Sequence, residues 1–132
     1  MRVRPYTRRD IRGMVAVAKE LHPTWIHGSR LKSMPVDLRY QQGFVAVEGS
    51  RIVGYLSCTS EDGVPVIAAL GVDPSLRRRG IGGKLVSEAE KDMRMAGAKV
   101  VRVTAMGWTR PFNRSYAETR AFYEALGFEV VR

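Results

Sequence analysis

The chain has 132 residues, 45% of them hydrophobic and 27% charged, proportions that suit one folded domain spanning 1–132 and exclude disordered and fibrous polypeptides. Its 22 basic and 13 acidic residues give a formal net charge of +9, which suits a polyphosphate, a nucleic acid or an anionic surface. The single cysteine, Cys58, permits no intrachain disulfide, no metal-binding spacing is present, and the longest charge-free apolar run, 63–72, falls far short of the ~20 residues of a membrane span.

Residues 2–5 alternate as a short strand, and Thr7-Arg-Arg-Asp10 has the form of a capping box opening a helix striped with Ile11, Met14, Val15, Ala18 and Leu21. His22-Pro23 should end it. From there to Gln42, apolar residues are spaced for short helical pieces interrupted by Gly28 and Pro35, the pattern of a wall or lid. Segments 44–48 and 52–59 around Gly49-Ser50 form a hairpin, and Glu61-Asp62-Gly63 turns the chain into a third antiparallel strand, 64–72. Gly71 stands where that strand would carry a side chain, marking a bulge or a close approach to the backbone. Asp73 caps the turn before Pro74.

The next helix carries Ile81, Leu85, Val86, Ala89, Met93 and Ala96 on one stripe and ends at Gly97. Residues 99–106 are β-rich and should be the following strand. Ser115-Tyr-Ala-Glu118 is a second capping box, opening a helix that contains Ala121, Phe122, Ala125 and Leu126; Gly127 closes it and 128–131 begin a last strand. No signal-peptide stretch follows the N-terminal arginines, and a cytoplasmic protein is expected.

Between the third hairpin strand and its helix stands Arg77-Arg-Arg-Gly80-Ile81-Gly82-Gly83-Lys84. Glycines let successive N–H groups converge on one point, and a helix N-terminus adds roughly half a positive charge, so the segment is suited to an anion. A Walker A loop is excluded, because Arg78 occupies its first glycine position and Leu85 its magnesium-binding hydroxyl. The dinucleotide fingerprint fails too: Leu85 takes the third glycine position, and hairpins precede the loop where a parallel βαβ unit would be needed.

The remaining pattern, Arg77-x-x-Gly80-x-Gly82 after Leu70-Gly-Val-Asp-Pro74, resembles the acetyl-CoA loop of the GNAT superfamily of N-acyltransferases. Thr119-Arg-Ala-Phe-Tyr123-Glu-Ala-Leu-Gly127-Phe128 looks like that family's C-terminal helix and strand. The resemblance implies an α/β fold: a central twisted, mostly antiparallel sheet flanked by about four helices and splayed between its fourth and fifth strands. It also implies acetyl-CoA as co-substrate, no metal, and an amine acceptor that attacks the thioester directly in a ternary complex. Backbone amides from Arg77 through Arg78, Arg79, Gly80, Ile81 and Gly82 to Gly83 would then cradle the pyrophosphate. Lys84 would reach the 3′-phosphate, Leu70, Gly71 and Val72 would pair with the pantetheine arm, and Tyr123 would serve the thiolate as general acid. Trp25, His27 and Tyr116 are the candidates for the acceptor side.

The chemistry sets its own demands. A Lys-like amine with pKa ~10.4 must lose a proton, at a cost of roughly 4–5 kcal/mol at pH 7. Many family members supply a glutamate base on the strand before the loop, whereas residues 66–72 hold no ionisable side chain. Where relatives carry Asn and Ala before the tyrosine, this chain has Tyr116 and Thr119. The alternative is therefore a CoA-binding regulatory module without effective catalysis. Nucleic acid is disfavoured as a partner because the aromatics do not interleave with the basic residues. No membrane partner is expected, and a homodimer is compatible with the sequence.

Overall fold

A computed structural model of the protein describes residues 1–103 and 114–129, excluding the side chains of 114–116. In chain order it comprises β1 (Arg2–Pro5), α1 (Ile11–Leu21), α2 (Gly28–Asp37), β2 (Gln42–Glu48), β3 (Arg51–Glu61), β4 (Val64–Val72), α3 (Ile81–Met95), β5 (Arg102–Val103) and α4 (Arg114–Ala125), with 3-10 turns at Arg8–Asp10 and Pro74–Leu76. The strands form one sheet in the order β1-β2-β3-β4-β5. Neighbours are antiparallel except β4 and β5, which run parallel.

Each helix lies where its apolar stripe finds the sheet. Met14, Val17, Ala18 and Leu21 of α1 join Met34 of α2 against Val45, Val47 and Tyr55 on one face. On the other, Ile81, Leu85, Val86, Ala89 and Met93 of α3 and Tyr123 of α4 pack on Ala46, Leu56 and Ile67. Burying side chains of this size contributes about 1.5–3 kcal/mol each, enough to fix both helical layers on the sheet. The first capping box is present, with Thr7 N donating to Asp10 Oδ2 at 2.8 Å. Arg4 adds two bonds to the same carboxylate, holding Asp10 below the usual carboxylate range.

Four expectations change. Gly28 begins α2, and Pro35 lies in its last turns, so neither interrupts a helix. The stripe of Leu31 and Met34 against the sheet overrides local propensity. Helix α4 starts at Arg114, so Ser115 is inside it and is not its cap. Of the strand expected over 99–106, only Arg102–Val103 is formed among the described residues, 99–101 being outside it, and Phe128 and Glu129 are not in a strand; residues 104–106 and 130–131 lie outside the described residues.

The bulge is at Ala68, not Gly71. From the Glu61↔Val64 pair the ladder runs regularly to Cys58↔Ile67, then resumes at Ser57↔Ala69, leaving Ala68 as an extra residue in β4. That insertion brings Tyr55 opposite Gly71. A methyl on Gly71 would stand 2.5 Å from Tyr55 Cε1 and 2.8 Å from Leu21 Cδ1, so the close approach expected there is made by a tyrosine ring of the neighbouring strand.

Candidate active site

The cationic loop is built on backbone conformations that ordinary residues avoid. Asp73 Oδ1 accepts from Ser75 N at 2.9 Å and its Oδ2 pairs with Arg51, so the exit from β4 is anchored. These bonds, first those to Ser75, lower the pKa of Asp73. Arg78 then adopts φ 65° and Gly80 φ 78°, both left-handed. For arginine this costs on the order of 1–3 kcal/mol, strain of the kind that accumulates at ligand clamps. The first helical bond of α3 runs from Lys84 N to Gly80 O at 3.0 Å, which leaves the amides of Ile81, Gly82 and Gly83 ahead of the ladder. Among the described residues, Arg78, Arg79 and Lys84 make no ion pair. A loop of free amides and unpaired cations fits a polyphosphate.

The loop meets the other candidate elements at short range. A side chain on Gly82 would lie 3.0 Å from Phe122 Cζ and 3.8 Å from Val72 Cγ2, so the start of α3, the end of β4 and α4 converge there. Leu70, Gly71 and Val72 pair with Leu56, Tyr55 and Gly54 on the β3 side. On the other side, described pairing with β5 is confined to Val66↔Arg102 and Ile67↔Val103, so beyond the bulge β4 presents an edge that β5 does not cover among the described residues.

Tyr123 projects into the cluster that includes Ile67 and on which Leu70 and Val72 pack. It is 7% exposed, and its ring meets those of Phe122 and Phe128 edge-on at centroid distances of 5.1 and 5.5 Å. Burial raises its pKa, with a further rise from Cys58 and an opposing effect of Arg30. A phenol so placed remains protonated, a weaker acid than free tyrosine that keeps its hydroxyl proton available for donation.

Arg77 is engaged elsewhere. Its guanidinium lies 4.3 Å from the centroid of Trp25 and its Nη2 is 3.2 Å from Glu118 Oε2, bridging the α1–α2 connection to α4. Trp25 is thus at the loop. His27 is exposed at the N-cap of α2, its Nδ1 3.1 Å from Ser29 Oγ. The side chain of Tyr116 lies outside the description. Two residues absent from the sequence-based candidates are present: Glu118, read as a capping residue, and Arg30, whose Nη2 donates to the carbonyl of Ala68 at the bulge. No periodicity distinguishes Arg30 among 22 basic residues.

The family described as acetyltransferase (GNAT) domain matches residues 39–130. No curated protein matches the sequence. Among solved structures, a GNAT-family acetyltransferase from Desulfovibrio desulfuricans described as putative superposes with TM-score 0.83 at 21% identity, covering 99% of this chain and 86% of the other. The PaiA N-acetyltransferase of Thermoplasma acidophilum in complex with coenzyme A gives 0.74 at 18%, covering 99% and 92%. An aminoglycoside N-acetyltransferase in complex with CoA gives 0.75 at 15%, covering 99% and 89%. At these identities the likeness is one of fold.

Proposed function

The chain belongs to the GNAT family of acetyltransferases, and from that membership we propose that it moves an acetyl group from acetyl-CoA to a primary amine by direct attack in a ternary complex. The observation that carries the reading is the strained cationic loop, with its unpaired Arg78, Arg79 and Lys84 among the described residues, at the junction of β4 and α3. In this reading the amides of residues 77–83 hold the pyrophosphate while Arg78, Arg79 and Lys84 add charge. Arg77 contributes its backbone amide, while its guanidinium is engaged by Trp25 and Glu118. The pantetheine arm runs back along Val72, Gly71 and Leu70, which puts the thioester toward Ala68 and Tyr123.

The amine nitrogen then bonds to the thioester carbonyl carbon as the C–S bond breaks, giving the N-acetylated amine and free CoA. Because β4 contributes no base, the proton leaving nitrogen passes to water or to a group outside that strand. Tyr123 donates a hydrogen bond to the departing sulfur. In support, its burial keeps the phenol protonated. The test is release of free thiol from acetyl-CoA with a panel of amines, amino acids and peptide N-termini. Amine-dependent release is expected; tight CoA binding without release for any acceptor would refute the transferase and favour a regulatory module.

A further inference from the structure

Arg30 stands one turn before the buried Met34, on the face that α2 turns to the sheet, where an apolar residue would extend the core. Its side chain instead reaches the bulge and donates to Ala68 O. The residue is half-buried, and no carboxylate among the described residues pairs with it. Asp37, on the same helix, accepts from Ser33 Oγ at 2.8 Å, and Glu118 is held by Arg77. A neutral carbonyl uses one of the five N–H donors of a guanidinium and balances none of its charge. Partly desolvated cations of this kind are stabilised by a bound anion, and the planar fork matches a carboxylate.

Position separates this cation from those for the phosphates. Ala68 and Val72 bracket about 13 Å of strand, with the loop beyond the Val72 end. Arg30 is therefore at the acyl end of the track, reaching it from the α2 face of the sheet, while Tyr123 lies on the opposite face with a hydroxyl that still feels the Arg30 charge.

We propose that Arg30 binds a carboxylate of the acceptor, and that the acceptor is a free amino acid or a similar amino carboxylate. This deepens the acetyltransferase reading and rests on it. The carboxylate seats on the guanidinium, and the neighbouring amine, after losing its proton to water, forms the C–N bond as the C–S bond breaks. The products are the N-acetyl amino acid and CoA thiol, the sulfur taking up a proton.

The test compares thiol release by the full chain with amino acids and with their decarboxylated amines. Wild type is expected to favour the best amino acid over its amine by about tenfold or more in kcat/KM, and Arg30→Gln to reduce that ratio by about tenfold. Arg30→Lys, which keeps the charge without the fork, should fall between them and guards against a folding defect in the first variant. Equal use of acid and amine by wild type overturns the proposal, as does an equal loss for both in Arg30→Gln. If CoA binds but no acceptor reacts, the transferase reading fails alone. Calorimetric binding of N-acetyl amino acids to the CoA-loaded protein then decides: binding weakened about tenfold by Arg30→Gln supports the carboxylate site, and no binding to wild type refutes it.

Discussion

Replacing Gly71 with alanine would drive a methyl group into the ring of Tyr55, 2.5 Å from Cε1 and 2.7 Å from Cζ, and against Leu21 Cδ1 at 2.8 Å. Tyr55 is 1% exposed and Leu21 6%, so neither can swing into solvent to make room. Gly71 does not have a left-handed φ, so the cost is packing alone. Overpacking a core in this way costs about 1–3 kcal/mol. With an unfolding entropy of ~2.1 cal/mol/K per residue over 132 residues, that corresponds to a fall in Tm of about 4–11 °C. Thermal unfolding without CoA reads the effect directly. Repeating Gly71→Ala in a Tyr55→Leu background should recover at least about half the loss, because the double-mutant cycle isolates the ring–methyl contact. A variant that melts within about 1 °C of wild type, or a penalty undiminished without the ring, would refute the packing argument. If Gly71 serves only cofactor approach, the outcome is instead weakened CoA binding with Tm unchanged.

Tyr123→Phe should lower kcat by about 10- to 150-fold, the worth of one hydrogen bond to a developing charge, with the Kd for CoA retained within about twofold. An unchanged kcat would remove Tyr123 from the chemistry. Cys58 has its pKa pushed up to about 12, first by burial and then by Asp92, so its folded state favours the neutral thiol. Alkylation by iodoacetamide at pH 8 should run about 10³-fold slower than in unfolded chain, rising only as pH approaches 12. Because the folded pKa lies above the unfolded one, the stabilisation from this group is complete below about pH 9 and is lost as pH climbs toward 12. Rapid labelling at pH 8 would show that the thiol is not shielded.

Strong periodicity made much of the fold legible. The stripe of α3 from Ile81 to Met93, the Gly97 stop and the bounds of β4 stand as read, since each follows from local chemistry and burial on one face, whereas Ala96, read into the same stripe, is exposed just past the end of the helix. The loop was legible because glycines and arginines at a strand–helix junction leave few alternatives. What escaped depends on register. An extra residue at Ala68 alters no composition or periodicity that a reader could weigh, yet it shifts Tyr55 from facing Leu70 to facing Gly71. Arg30 and the Arg77–Glu118 pair escaped for a related reason: each joins elements distant in sequence, 38 and 41 residues apart. Residue type alone does not reveal such partners. Gly28 and Pro35 misled because their usual penalties apply to helix interiors, and here they fall near the two ends.

Arg77 has one guanidinium and three claimants. Trp25 and Glu118 now share it, tying the connection ahead of α2 to the helix that carries Tyr123. Any anion arriving at the loop competes with both. Reciprocity requires the exchange to run in either direction: whatever draws Arg77 toward the phosphates loosens the two walls, and whatever clamps the walls together makes Arg77 less available to the phosphates. In the proposed cofactor-bound state, occupancy of the loop and the tie between Trp25 and Glu118 are in this way linked through a single side chain.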